Sequence, residues 1–138
     1  MNASQQVEVG KLFFEDGIPG FSHLQFFQLI QEKESPFYLI QSMEEKDVGF
    51  WVINPFTFFP DYHFELPSVV KETLRVEELS QIAVFAIVTL RGNNQATVNL
   101  KAPIVVNLSN RMGRQIILQE DTYSIRQPLF KQLAEEQK

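Results

Sequence analysis

Apolar and polar residues alternate with a period of two along most of this chain, the spacing of strands whose successive side chains face opposite ways. Val7 and Val9, with Leu12 beyond them, mark a short edge-type strand. Residues 25–30 and 37–41 mark two more, separated by the polar loop 31–36. Residues 50–53 are apolar on both faces, which suits a strand buried on two sides. In 61–66, Tyr62, Phe64 and Leu66 fall on one face and Asp61, His63 and Glu65 on the other, again the pattern of a strand. Residues 82–90 form the strongest core strand. Ala96, Val98, Leu100 and Ala102 then face inward and Thr97, Asn99 and Lys101 outward, until Pro103 forces a bend or bulge. Residues 104–106 resume the strand, and 115–118 supply a last one.

Turn chemistry separates these runs. Gly17-Ile18-Pro19-Gly20, Arg91-Gly92-Asn93-Asn94 and the 110–113 segment are turn signals. Residues 54–60 hold two prolines and three phenylalanines; proline cannot donate to a ladder, so this is a loop or a sheet edge. The one clear helix follows Pro67, with Val70 and Leu74 a turn apart on one face; residues 77–80 can add a further turn, and the tail from 129 to 136 a frayed helix. Many short strands at regular spacing predict an all-β, mainly antiparallel fold: a small, partly closed barrel with one or two short helices, in a single domain spanning 1–138.

Composition sharpens this picture at three points. Phenylalanine supplies 13 of 138 residues, a β-favouring excess. Cysteine is absent, which excludes disulfides, thiolate metal sites and a cysteine nucleophile. The net charge of −5 argues against direct nucleic-acid binding, which needs a basic face. The opening residues 1–8 carry no apolar run of a secretory signal, and the longest apolar stretch, 82–90, falls far short of the ~18–20 residues of a membrane span. A cytoplasmic protein without cofactor or metal is expected.

Enzyme motifs are missing: no phosphate loop, no dinucleotide fingerprint, no nucleophile elbow and no His-Glu-x-x-His helix. Asp61, His63 and Glu65 are the one cluster that can move protons or hold a metal, which would make a hydrolase or small-ligand barrel; the same alternation also describes a solvated strand face. Phe56, Phe58 and Phe59 either fold back onto the core or anchor a partner from an exposed loop, with at least one expected at the surface. Glu44, Glu45 and Asp47 either form a solvated hairpin tip or attract a basic partner.

Several segments carry a known pattern. Gly17-Ile18-Pro19-Gly20-Phe21 and Gln41-Ser42 come first. Asn54-Pro55-Phe56-Thr57-Phe58-Phe59-Pro60-Asp61-Tyr62 and Asn99-Leu100-Lys101-Ala102-Pro103-Ile104-Val105-Val106-Asn107 are the most specific. Gly113-Arg114-Gln115, Tyr123 and Arg126-Gln127-Pro128-Leu129 complete the series. In order and spacing the chain resembles the flagellar assembly factor family FliW along nearly its whole length. The resemblance implies a compact β-barrel-like fold and no enzymatic activity. It implies binding to CsrA, a small dimeric RNA-binding repressor of the flagellin message, and to flagellin itself. Export of flagellin would free the protein to capture CsrA. Partner contacts are then expected from the acidic loop and from Asn54, Pro55, Phe56, Phe58, Phe59, Asp61 and Tyr62. The segment before Val7 is short and the hairpin at 92–95 tight beside many relatives, so contacts made by those loops do not carry over.

Overall fold

The computed structural model describes residues 6–92, 95–119 and 121–129, and the side chains from Val9 onward. Strands β1 (Gln6–Phe13), β2 (Phe26–Glu32), β3 (Phe37–Ser42) and β4 (Gly49–Ile53) form an antiparallel meander. Two short helices follow, α1 (Pro55–Phe58) and α2 (Ser68–Thr73), then a 3-10 turn at Leu79–Gln81. The chain ends in β5 (Ile82–Arg91), β6 (Gln95–Val98), β7 (Ile104–Asn107), β8 (Met112–Gln115) and the two-residue β9 (Gln127–Pro128). Neighbours run β4-β3-β2-β1-β8-β7-β5, and β5 returns to β4, so seven strands close a barrel. β6 and β9 extend outside the ring from β5.

Alternation decides which side chains fill the barrel. Leu12, Phe14, Phe27, Leu29, Ile40, Val52, Phe85, Ile104 and Val106 form one buried cluster, the interior. Their neighbours along the same strands, Ile53, Ala86 and Val105, belong to a second cluster on the outer face. That outer layer is covered by Phe58 of α1, by Tyr62, by Val70 of α2 and Leu74 just after it, and by Leu129 beside β9. Trp51 packs at its margin. Strands carrying both clusters must be apolar throughout, and β7 is buried at all its positions. The same holds for Val52 and Ile53 in β4, whereas Phe50 and Trp51 remain half-buried.

Three expectations need correction. Segment 54–60 is neither loop nor sheet edge but one helical turn: Asn54 Oδ1 accepts the Phe56 N–H, and Pro55 at the first position lacks an N–H that would otherwise be orphaned. Segment 61–66 has the predicted alternation, with Tyr62 buried and Asp61, His63 and Glu65 exposed, but it pairs with no strand among the described residues. Its backbone bonds elsewhere, Tyr62 N–H to the Phe59 carbonyl and His63 N–H to the Tyr123 hydroxyl. The last barrel strand is Met112–Gln115, earlier than 115–118. Arg111, at φ 66°, closes the preceding turn and starts the strand at once. Ile116 and Leu118 still donate to the carbonyls of Pro103 and Lys101, but Pro103 has no N–H to return, so the regular ladder stops.

The edge-type strand expected near Val7 is β1, eight residues long. One edge pairs fully with β2; the other meets β8 only at Phe13, opposite Met112, in the ring's one parallel pairing. A bulge interrupts β1 between Glu8 and Gly10, with Gly10 at φ 146° and the Arg111 guanidinium packed against it. The bend predicted at Pro103 is an excursion. Three steps along β5, Phe85 to Val88, face six along the opposite chain, Val98 to Ile104. Asn99 Oδ1 holds the excursion by accepting from the Lys101 and Ala102 N–H groups. Asn107, only 1% exposed, donates from Nδ2 to the Leu74 carbonyl and so ties the end of α2 to the barrel. The tail helix expected over 129–136 lies outside the described residues beyond Leu129, and Asn93 and Asn94 of the β5–β6 turn are likewise outside them.

Interior packing makes one position a direct test. A Cβ on Gly113 would lie 2.8 Å from a ring carbon of Phe14, whose side chain is fully buried, whereas a Cβ on Gly92 meets nothing within 4 Å. Gly113→Ala should lose about 1–3 kcal/mol of stability, as overpacked cores do, and Gly92→Ala about 0.5 kcal/mol or less. Urea denaturation of the two variants side by side checks this; equal losses would mean that Phe14 is not fixed where it stands.

Candidate functional site

The acidic loop is a rigid hairpin. Ser42, 4% exposed, accepts the Glu44 and Glu45 N–H groups on its hydroxyl. Gln41 Nε2 donates to the carbonyls of Lys46 at 3.0 Å and Val48 at 2.9 Å. The Gln41-Ser42 pair thus shapes the β3–β4 connection. Glu44 reaches further: one carboxylate oxygen accepts the Phe26 N–H at 2.9 Å and the Gln25 N–H at 2.8 Å. Those bonds hold its carboxyl below the ordinary 4.5, the Phe26 bond most strongly. Gln25 in turn donates from Nε2 to the Glu15 carbonyl, clasping the β1–β2 and β3–β4 connections together. Nothing in the sequence marks this clasp, because its partners are 10 to 19 residues apart. All three expected acidic contacts are exposed, but the Glu44 carboxylate is committed to the fold while Glu45 and Asp47 are left to solvent.

The aromatic segment divides. Phe58 is buried at 9% exposure, Phe59 is half-buried and Phe56 is 42% exposed. Phe56 borders an open groove of about 430 Å³ with Phe64, Leu66 and Leu79. Pro55 and Tyr62 are buried; Asn54 and Asp61 are exposed. Tyr62 donates to the Leu100 carbonyl at 2.7 Å and packs its ring 4.7 Å from Tyr123 and 5.6 Å from Phe56. Burial, with Tyr123 beside it, holds the Tyr62 phenol well above its usual range, so it stays protonated and a donor. Most of the segment is therefore a lid on the outer layer, with Phe56 as its exposed apolar residue. The five residues of β4 separate this lid from the acidic hairpin by roughly 16 Å, so the two expected contact regions are not brought together.

Asp61, His63 and Glu65 do share the solvent side. The His63 ring nitrogen Nδ1 is turned to the Asp61 backbone carbonyl at 3.0 Å rather than to a carboxylate. Among the described residues no group of three or more His, Asp or Glu side chains is arranged to hold a metal ion. Buried apolar side chains cluster inside the barrel, and His63 and Glu65 line an open surface hollow of about 640 Å³ with Phe64, Pro67 and Ile117 instead. Other motif residues serve the backbone. Gly17 sits at φ 68° where a Cβ would lie 2.6 Å from the Ser22 Cα, and Asn54, Asn99 and Asn107 accept or donate as described.

Two outcomes follow from this geometry. Glu44 has a depressed folded pKa, so its stabilising contribution is complete above 4.5 and disappears as pH falls through the lower folded value. Wild type should therefore lose more stability than Glu44→Gln as pH is lowered from neutral through and below 4.5, while Glu44→Gln is the less stable of the two at neutral pH; thermal unfolding across a series of falling pH is the measurement. Phe58→Ala should cost ~3–5 kcal/mol, and Phe56→Ala about 0.5 kcal/mol or less. Comparable melting of the two variants would contradict the lid.

Comparison with known proteins agrees with these features. The family model described as FliW protein matches residues 2–129. A flagellar assembly factor FliW from Caldicellulosiruptor bescii is 45% identical over 129 residues, covering 92% of this chain and 85% of the relative. Its counterpart from Caldicellulosiruptor saccharolyticus is 43% identical over 123 residues, 88% of this chain and 81% of that one. A crystal structure of the flagellar assembly factor FliW matches with a TM-score of 0.81 at 36% identity, over 86% of this chain and 84% of the other. The overall fold is thus shared with that structure, and the chain belongs to the FliW family of flagellar assembly factors.

Proposed function

We propose that this protein works in the bacterial cytoplasm as a partner switch. It binds and antagonises the RNA-binding translational repressor CsrA, it binds flagellin, and it acts by association rather than by catalysis. Flagellin held before export occupies the protein and leaves CsrA free to repress; once flagellin leaves, the protein captures CsrA and translation resumes. Family membership supports the assembly role. The observation that carries the choice of mechanism is the prefolded acidic hairpin, which offers a basic RNA-binding partner fixed negative charge with little ordering cost. No helix among the described residues is long and apolar enough to cross a membrane.

A switch requires that flagellin lower the affinity for CsrA, and linkage makes the factor reciprocal. Area alone does not force competition: a standard footprint takes about 800 Å² per partner, against a total surface of 8722 Å². The acidic hairpin and the exposed Phe56 also lie at opposite ends of β4. Coupling therefore arises from both partners overlapping at one end, from one partner spanning both ends or from a change transmitted through the barrel. Titrating flagellin into a preformed complex with CsrA and following release by size or fluorescence anisotropy tests the switch. Release of CsrA is the expected outcome, and a ternary complex with both affinities undiminished would refute it.

A further inference from the structure

Phe13 and Phe26 face each other across β1 and β2 with ring centroids 5.2 Å apart. A cross-strand aromatic pair is a common sheet contact and accounts for Phe13, which is half-buried. It does not account for the rest. Phe26 remains 48% exposed, and Met43, whose N–H donates to the Phe26 carbonyl, is 46% exposed. Lys11 and Gln28, the next pair on the same outward face, are polar or charged, as a solvated barrel wall should be. The apolar residues thus form a local patch at one end of the barrel, away from the lid over the outer layer.

The charge around this patch is not average. The connections 14–25 and 43–48 that flank it carry Glu15, Asp16, Glu44, Glu45 and Asp47 against Lys46: five negative charges and one positive leave −4 of the chain's −5. The frame is rigid. The Gln25–Glu44 clasp joins the two connections, and Ile18 and Leu24 plug the barrel end beneath them at 1% and 2% exposure. We propose that Phe13, Phe26 and Met43, ringed by these carboxylates, are the docking surface for a basic protein segment that sets an apolar side chain between its cations. The same charge repels nucleic acid and anionic lipid, so the occupant is a protein. The assignment rests on the reading that the protein binds a basic partner, and it moves the expected anchor from the aromatic segment to Phe26, which the sequence pattern placed in an ordinary strand, and its neighbours Phe13 and Met43.

Purified CsrA is the probe, with flagellin as a second, measured by stopped flow and equilibrium titration against wild type and four variants. Phe26→Ser should weaken binding of CsrA by roughly 30-fold, mainly through faster dissociation, because an aromatic anchor that the partner covers is lost. The double variant Glu45→Lys, Asp47→Lys should instead slow association and flatten its salt dependence, since rim charges steer encounter. Leu90→Ser, removing a 61%-exposed apolar side chain on β5, should change neither rate. Each variant's melting curve is recorded, and Met43→Ser replaces Phe26→Ser if the latter melts early. Wild-type binding left intact by both patch variants would place the docking surface elsewhere while the switch survives. Failure of the wild type to bind CsrA or flagellin would overturn the switch and the surface together.

Discussion

Two residue pairs, Val52 with Ile87 and Ile53 with Ala86, join the four-stranded meander to β5 and turn an open sheet into a ring. So short a ladder needs shelter. Val52, Ile53 and Ala86 are all fully buried, Val52 toward the barrel interior and the other two under the outer lid. Backbone groups left unpaired in that environment would cost more than the bonds themselves contribute, so the pairing is enforced from both faces. The lid is what makes the second face dry. Remove Phe58, Tyr62 and α2, and the barrel would close on one side only. The aromatic segment therefore belongs first to the architecture, whatever a partner also draws from it.

Where sequence reading succeeded and where it slipped have one cause. Alternation records which side chains meet water, not which backbone lies alongside. Tyr62, Phe64 and Leu66 show the inward pattern, and Asp61, His63 and Glu65 the outward one, yet the segment lies on the sheet without joining it. Leu100 and Ala102 are buried as expected, but the ladder leaves them because Asn99 turns the chain with its own side chain. The candidate site was legible to the same degree. The acidic hairpin is at the surface, and so is one phenylalanine of segment 54–60, as expected of at least one of them. Which phenylalanine of the lid would be exposed was not readable, since Phe56 and Phe58, two residues apart, point to different sides only once the segment is helical. The Gln25–Glu44 clasp and the exposure of Phe26 and Met43 depend on two loops meeting in space, which no local pattern encodes.

The division of labour between the two ends of β4 follows from these constraints. At one end the polar side chains Gln41, Ser42 and Glu44 are consumed in holding a tight connection, which leaves their neighbours' charges fixed in position but free of the fold. At the other end the side chains are mostly consumed in burial. A small barrel has few residues that neither fill its interior nor seal its outer layer, so the surface left for recognition is concentrated at loop tips and at the few apolar side chains the core did not take.

Phe13 also sits at the one parallel seam, opposite Met112, and 112 − 13 = 99 positions separate the two. During synthesis β1 emerges long before β8 exists. At translation speeds of ~5–20 residues per second the wait is on the order of 5–20 s. Throughout it, the outer edge of a hydrogen-bonding strand is open to any other nascent chain. The bulge before Gly10 and the lysine at position 11 are features that discourage such mispairing, by twisting the edge and charging it. Their value is thus greatest on the ribosome, before the molecule they belong to has a barrel at all.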